Sequence, residues 1–347
     1  MLYIHKTYCI SPQQDHLQND LEKLNDPVDN KLLAVEPSYE KIPPGILRRM
    51  GKSIRMGVGT ALPLMDKENP VDGFIIGSAN AGLDECVKFL IQIVDYDEGQ
   101  LTPGNFVQST GNVIAGQLGL ISKNKGYNIT HMHQGLAFEN ALTDAIMQLN
   151  AYPENSYLLG GIDEISPYHY NIETLNGAYK KEGISNKKLY ESDSSGCLPG
   201  EGAAMFLVDA KKDNALAAIR SVQTIHTEDV EMLSRQLKLF LEKNNKAGEE
   251  IDLLISGENG DKHTLAFYTT AESLLNKQIP IVRFKHLCGE YATASAIGLW
   301  YACEILKTQL IPKHMLKNNS SKKEFRNILL YNNFKGYQHS FTLISVP

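Results

Sequence analysis

The chain has 347 residues, of which 42% are hydrophobic, 21% charged and 8% aromatic, a composition that excludes disordered, collagen-like and coiled-coil proteins. Its 34 Lys and Arg against 40 Asp and Glu give a formal charge of −6, which argues against nucleic acid as a partner. Five scattered cysteines without a CxxC pair argue against a disulfide framework and a zinc site, and we expect neither a metal nor a cofactor. We also expect a cytoplasmic protein without a signal peptide or a membrane span.

Short runs rich in β-branched residues alternate with longer segments of helical period, which is typical of an α/β fold. The first part of the chain predicts strands at 3–10, 73–77, 128–130, 157–162 and 203–209, and helices at 44–62, 83–94, 106–118 and 138–149. The last helix has the clearest apolar stripe, from Phe138 to Leu149, and should pack on a sheet. Its polar residues Glu139 and Asp144 are expected at solvated or capping positions.

After the polar segment 211–214 the order of elements begins again. This part predicts strands at 215–227, 251–255, 279–284, 328–331 and 341–346, and helices at 230–241, 263–275 and 292–306. The repeated order predicts two similar halves, residues 1–210 and 211–347, although the halves share no obvious sequence identity.

The most specific motif is the segment 196–205, in which three glycines flank Glu201 ahead of an apolar strand. Such a sequence indicates a tight loop that enters a core, and this alone is common. The segment resembles the Gly-x-x-x-Gly-Glu-Gly-Ala motif of β-ketoacyl synthases, which have the thiolase fold.

Four other segments resemble the same family in the same order. They are 101–116, similar to the segment before the synthase nucleophile; 160–164, similar to the strand end after the nucleophile helix; 284–289, similar to Lys-x-x-x-Gly; and 332–334, similar to Asn-Ser-Phe. The resemblance covers nearly the whole chain and implies an α/β thiolase fold, with five αβαβα layers built from two similar halves.

The family's catalytic cysteine has no counterpart in this chain. Its motif, Thr-Ala-Cys-x-(Ser/Thr)-Gly, matches 130–135 and places Met132 where the cysteine belongs. A thioether cannot ionise and cannot form a thioester. A register slip of one residue would place His131 or His133 there instead. Met132 is alternatively a residue that fills a gap in the core.

The two catalytic histidines of the family are also replaced. They match Ser256 and Glu290, and a carboxylate repels the enolate that a histidine would stabilise. Only Lys285 matches the family's catalytic set, so the resemblance implies no complete catalytic site.

This combination resembles the chain length factors, noncatalytic subunits that pair with a cysteine-bearing ketosynthase and shape its product tunnel. The resemblance extends to proteins of polyketide, aryl polyene and flexirubin-type pigment synthesis. It implies a heterodimer with a ketosynthase, with an acyl carrier protein as an indirect partner. Asn105, Phe106 and Thr110 are expected at the partner interface and tunnel, although Phe106 is equally well explained as an ordinary buried aromatic residue.

Two other functions remain open at this stage. One is a 3-oxoacyl-[acyl-carrier-protein] synthase-type acyltransferase that uses acyl thioesters at a rearranged site, with Cys288, His131 or His133 in place of the lost residues. For Cys288, a small buried hydrophobic side chain is the better interpretation. The other is a homodimeric acyl-binding or scaffold protein that has no ketosynthase partner.

Overall fold

The computed structural model describes residues 1–13, 20–68, 70–244 and 251–347. Its strands are β1 (Leu2–Ile10), β2 (Gly73–Gly77), β3 (Tyr127–His131), β4 (Ser156–Asp163), β5 (Gly202–Asp209), β6 (Ala217–His226), β7 (Leu253–Ser256), β8 (Ile281–Arg283), β9 (Asn327–Phe334) and β10 (Gln338–Ser345). Its helices are α1 (Pro44–Leu47), α2 (Lys52–Ala61), α3 (Leu83–Asp95), α4 (Pro103–Gln108), α5 (Val113–Ser122), α6 (Ala137–Ala151), α7 (Pro167–Leu175), α8 (Val230–Asn244), α9 (Leu265–Ser273), α10 (Lys285–Cys288) and α11 (Ser295–Thr308).

The strands form one sheet with the order β3-β2-β4-β5-β1-β6-β10-β9-β7-β8. Read from the β3 edge, the strands of the first half have the order β3-β2-β4-β5-β1. Read from the β8 edge, the strands of the second half have the order β8-β7-β9-β10-β6, which is the same order with each strand number raised by five. In each half, three strands are parallel and the remaining pairings are antiparallel. The repeat predicted from element order is therefore present in the topology, while the division at residue 210 lies between β5 and β6 and stays a prediction.

Three apolar clusters show how the layers stack. The largest contains α6 and α11 together with inward-facing residues of both halves of the sheet, such as Phe206 and Ile328. A second joins α2 and α5 to the outer face of the first half, and a third joins α8 and α9 to the outer face of the second half. The order from outside to outside is thus helices, sheet, helices, sheet, helices.

Helix α6 follows its predicted apolar stripe, but its polar residues are not solvated as expected. Glu139 is only 1% exposed, and its Oε1 accepts a hydrogen bond from Ser340 Oγ on β10 at 2.8 Å. Asp144 accepts hydrogen bonds from Tyr127 Oη and pairs with His131. The prediction is wrong because a helix in the middle layer has sheet on both sides.

Two predicted helices are interrupted in the structure. The segment predicted at 44–62 contains α1 and α2, with Gly51 preceding the first residue of α2. The segment predicted at 106–118 contains the end of α4 and most of α5. Helix α4 begins earlier, at Pro103, because proline is favoured at the first position of a helix. In the part of the chain that is described, no helix is long and apolar enough to cross a membrane.

Candidate functional site

A cleft of about 720 Å³ opens where the parallel strands of both halves end. Open α/β sheets bind ligands at this edge, because the loops that follow the strands meet there. Asn80 follows β2, Gln134 follows β3, Glu164 follows β4, Asn259 follows β7 and Lys335 follows β9, and all five line the cleft. The repeat of topology thus brings loops of both halves to one site.

The turn between β3 and α6 presents Gln134 to this cleft. Gln134 has a φ of +48°, in the left-handed region that non-glycine residues rarely adopt. The following residue, Gly135, packs against Phe334, and a Cβ there would lie 2.2 Å from Phe334 Cβ. A strained residue at the tip of a strand-to-helix turn is the arrangement that displays a nucleophile in other folds.

Met132 stands two residues earlier and points elsewhere. Its side chain is 51% exposed, and its sulfur lies so close to Gly111 that a Cβ there would be 2.2 Å away. Among the described residues that line the cleft, the turn contributes Gln134 and not Met132. The residue of the turn that faces the cleft is thus Gln134, two positions after the sequence match at Met132. The alternative that Met132 fills the core is wrong, because its side chain is exposed.

The two histidines of the turn have partners outside the cleft. His131 Nε2 lies 2.9 Å from Asp144 Oδ2, and Asn140 Nδ2 donates to His133 Nδ1 at 3.0 Å. Neither histidine is among the described residues that line the cleft. The alternative of a histidine nucleophile has no support from this geometry.

Opposite the turn, an ion pair occupies the second-half wall of the cleft. Lys285 Nζ lies 2.5 Å from Glu290 Oε1, and the lysine side chain is only 1% exposed. Asn259 Nδ2 donates to Glu290 Oε2 at 2.8 Å. Both carboxylate oxygens are thus engaged, which satisfies the buried charge. Ser256 is fully buried at the end of β7, and Asn259, three residues later, is the residue that reaches the cleft.

The buried thiols near the cleft are poor nucleophiles. Cys197 lines the cleft and donates to the Ala178 carbonyl at 3.3 Å, and burial raises its pKa well above the usual range. Burial raises the pKa of Cys288 to about 12, and this side chain is fully enclosed. The thiolate is the reactive form of cysteine, so neither thiol is activated.

Two neighbouring carboxylates close the first-half end of the cleft. Asp163 accepts hydrogen bonds from Ser78 Oγ, from the backbone N–H groups of residues 79 and 80, and from Thr293 Oγ1. Burial still raises its pKa. Burial, followed by the nearby carboxylate of Asp84, raises the pKa of Glu164 to about 7. Asp163 thereby ties β4 to the loop after β2 and to the second half.

The raised pKa of Glu164 makes a pH-dependent prediction. The ordinary pKa of a glutamate is 4.5, and that of Glu164 in the folded protein is about 7. Between these two pH values the folded state holds a proton that the unfolded chain has released, so the free energy of unfolding falls as the pH rises through this window. Glu164→Gln is expected to raise the free energy of unfolding by about 1–3 kcal/mol at pH 8 and to leave it unchanged near pH 4. Urea denaturation at both pH values measures this.

The matched control is Glu228→Gln, which removes an exposed carboxylate from the same cleft. It should change stability little at either pH. An equal gain for Glu164→Gln at pH 4 and pH 8 would show that proton linkage is not the cause.

The predicted interface residues lie on and after α4, away from the described residues that line the cleft. Phe106 is 59% exposed and its ring centroid lies 5.4 Å from that of Phe89. Asn105 is half-buried and Thr110 is exposed. The interpretation of Phe106 as an ordinary buried aromatic residue is wrong, whereas its interface role stays a prediction.

Within the described ranges, no group of three His, Cys, Asp or Glu side chains is arranged as metal ligands would be.

Comparison with known proteins identifies the fold. Residues 23–181 match the family model of the β-ketoacyl synthase N-terminal domain. The whole chain superposes on a β-ketoacyl synthase from Burkholderia phymatum with a TM-score of 0.77 and 13% identity, covering 99% of that chain. The chain is thus similar in fold to β-ketoacyl synthases, and the family model matches 159 of its 347 residues. The predicted thiolase fold of two similar halves is confirmed.

Two other solved structures resemble this chain over its full length. One is a ketosynthase in complex with its chain length factor from Xenorhabdus doucetiae, with a TM-score of 0.77, 13% identity and 98% of that chain covered. The other is the ishigamide ketosynthase/chain length factor, with a TM-score of 0.79, 13% identity and 99% covered. No curated protein matches the sequence.

Sequence comparison with the family missed Gln134 and Asn259. Each is followed by a glycine, Gly135 and Gly260, and Gly260 has a φ of +78°. A glycine directly after the exposed residue of a tight turn was the available signal. Aligning the turns on these glycines would have replaced Met132 and Ser256 by the residues that reach the cleft.

Proposed function

We propose that this chain is a noncatalytic ketosynthase-like subunit, of the chain length factor kind, that pairs with an active β-ketoacyl-ACP synthase and shapes its product tunnel. The observation that carries the proposal is the carboxamide of Gln134 at the tip of the turn that faces the cleft. A carboxamide has no thiolate form and cannot take an acyl group from a thioester.

The opposite wall of the cleft supports the same conclusion. Asn259 and the ion-paired Glu290 stand where a decarboxylating site needs donors directed at an enolate. Glu290 brings negative charge, and its lysine partner is already bound to it. The neighbouring thiol of Cys197 is buried with a raised pKa. Neither Gln134, Asn259, Glu290 nor Cys197 therefore supplies an ionised thiol or an imidazole donor to the cleft.

An exposed apolar patch supports a protein partner. The patch comprises side chains of α3, of α4 and of the residue directly after β3: Leu90, Val94, Phe106, Val107 and Met132, each between 51% and 76% exposed. Strand β3 lies at one edge of the described sheet. Large exposed apolar side chains close to a sheet edge are typical of a protein interface. It suits a two-fold related subunit of the same fold, as isologous pairs require.

The test of this function uses the isolated chain and a cysteine-bearing ketosynthase from the same gene neighbourhood. With acyl carrier protein and malonyl extender, the isolated chain should form no elongated product. The ketosynthase should elongate in its presence, and the length distribution of the products should change when the chain is omitted. Elongation by the isolated chain, or products that do not depend on it, would overturn the proposal.

The patch makes a prediction about assembly. Phe106→Asp is expected to weaken the heterodimer at least about tenfold, because a charge replaces apolar area at the interface. The matched control is Leu175→Asp on α7, a side chain that is 87% exposed and outside the patch. Analytical ultracentrifugation with the ketosynthase measures both, and equal affinities for the two variants would exclude the patch as the interface.

A further inference from the structure

The cleft between the two halves has an excess of acidic side chains. Among the described residues that line it there are one lysine, Lys335, and two histidines, His169 and His263. They stand against six carboxylates: Asp163, Glu164, Glu173, Glu228, Asp261 and Glu290. A concave site lined mostly by one sign of charge concentrates ligands of the opposite sign.

The lysines at the wall of the cleft are already paired, so they leave part of this negative charge uncompensated. Lys335 Nζ lies 2.7 Å from Glu173 Oε1, and Lys285 is bound to Glu290. Asp163 accepts its hydrogen bonds from neutral hydroxyl and backbone donors. The charge that would complement the described lining of the cleft is therefore positive.

Glu173 on α7 offers a buried oxygen without a donor. The residue is 6% exposed, and its Oε1 lies near both His169 Nε2, at 3.3 Å, and Lys335 Nζ. Its Oε2 has no hydrogen-bond partner among the described residues. The contacts with His169 and Lys335 lower the pKa of Glu173 to about 2, so the carboxylate is fully ionised at neutral pH. Burying such an oxygen without a partner costs free energy, which an N–H group of a ligand would recover.

A second polar group of the cleft wall also lacks a partner. Tyr291 lines the cleft and is 8% exposed, and its hydroxyl makes no hydrogen bond within the described part of the chain. A Cβ at Gly202 would lie 2.8 Å from this hydroxyl, so the glycine leaves room beside it. Buried polar groups in native proteins are almost always paired, and two exceptions in one cleft indicate a polar ligand.

Aromatic side chains form the apolar part of the same wall. Phe267 and Phe334 are 6% and 8% exposed, and the rings of Tyr170 and Tyr179 stack with their centroids 5.2 Å apart. All four line the cleft. Aromatic faces attract an ammonium group within about 6 Å and also pack against methylene groups. The cleft volume of about 720 Å³ is in the range of pockets that hold small molecules.

We propose that the cleft binds a small organic cation of the aliphatic diamine class. Its ammonium groups donate to Glu173 Oε2 and to Tyr291 Oη, and its methylene groups pack on the aromatic side chains. The acidic lining compensates its charge. This binding needs neither a thiol nor a ketosynthase, so it goes beyond the proposed function and does not rest on it.

Three probes with the same four-carbon body separate charge from shape. Isothermal titration calorimetry of the full chain at pH 8 compares 1,4-diaminobutane, neutral 1,4-butanediol and anionic succinate. The diamine should bind with a Kd below about 1 mM, and the other two probes at least about tenfold more weakly. Absence of diamine binding would mean that water alone fills the cleft and would overturn the proposal, and so would equal affinity for the diol.

Two substitutions locate the bound diamine. Glu173→Gln removes the ionised acceptor and should raise the Kd at least about tenfold, because hydrogen bonds to charged groups are the stronger ones. Tyr291→Phe should raise the Kd about threefold to tenfold. Its hydroxyl has no partner in the free protein, so this variant should unfold at the temperature of the parent chain or above it. It keeps the test valid if Glu173→Gln, which weakens the pairing with Lys335, folds poorly.

The matched control is Glu98→Gln, which removes the same charge from an exposed position outside the described lining of the cleft. Its affinity for the diamine should equal that of the parent chain. Equal losses for Glu98→Gln and Glu173→Gln would indicate diffuse attraction to an acidic protein and would contradict the proposal, as would parental affinity in Tyr291→Phe. None of these measurements involves a ketosynthase, so their outcome is separate from the test of the heterodimer.

Discussion

Lys285→Met is expected to lower the free energy of unfolding by about 3–5 kcal/mol, the usual cost of removing one partner of a buried ion pair. Glu290 would keep its charge in a wall where it is 7% exposed and would retain only the hydrogen bond from Asn259. The carboxyl of Glu139, whose pKa is raised by burial, also lies in the field of Lys285 and would lose that counter-charge. Urea denaturation at pH 7.5 measures the loss.

The double variant Lys285→Met/Glu290→Gln separates the ion pair from simple packing. It removes both charges and keeps an amide oxygen for Asn259, so it should recover most of the loss and give a coupling energy of about 2 kcal/mol or more. If the two single losses simply add in the double variant, Lys285 does not act by neutralising Glu290.

The spacing of apolar residues predicted those helices and strands in which buried side chains recur at a regular interval along the chain. The stripe of α6 and the buried strand β2 were predicted at almost their final bounds, because alternation or helical spacing is visible without knowledge of neighbours. Helix α7 was missed because its apolar residues Tyr168, Ile172 and Leu175 are exposed and define no buried face. The burial of Glu139 also required the layer order, which no local pattern contains.

Motif matching named segments that the structure brings to the cleft, but at two positions the residue that faces the cleft differs from the matched one. The match to known motifs found the turn before α6, and it found Lys285 and Glu290, which the structure brings together. It placed the reacting positions at Met132 and Ser256 because matching by motif assumes that the loops have equal length. Which residue of a turn faces a cleft depends on its φ angles and on packing from distant strands, as Phe334 against Gly135 shows. Those contacts join residues about two hundred positions apart.

Gly200→Ala is expected to destabilise the fold by about 3 kcal/mol or more, because overpacking against backbone leaves nothing flexible to move. A Cβ at Gly200 would lie 1.9 Å from the Cys288 carbonyl oxygen and 2.6 Å from Gly289 Cα. At the same place the halves exchange two backbone hydrogen bonds, from Gly200 N to Glu290 O at 3.0 Å and from Glu290 N to Leu198 O at 2.7 Å. The glycines of the two motifs are therefore required by the close approach of one half to the other.

The control for this substitution is Gly116→Ala in α5, where a Cβ would meet nothing within 4 Å. Alanine in a helix interior should be neutral or stabilising there by about 0.5–1 kcal/mol. Thermal and urea unfolding of both variants give the comparison. The Gly200 N–H donates to the Glu290 carbonyl, so Gly200→Ala should also weaken the hydrogen bonds of the cleft wall around Glu290. Hydrogen exchange at residues 285–290 should then be faster. A stable Gly200→Ala protein with native exchange at residues 285–290 would contradict this prediction. It would show that the two backbone hydrogen bonds between the halves tolerate a side chain here, and that the close approach of Gly200 and Gly289 is not required for stability.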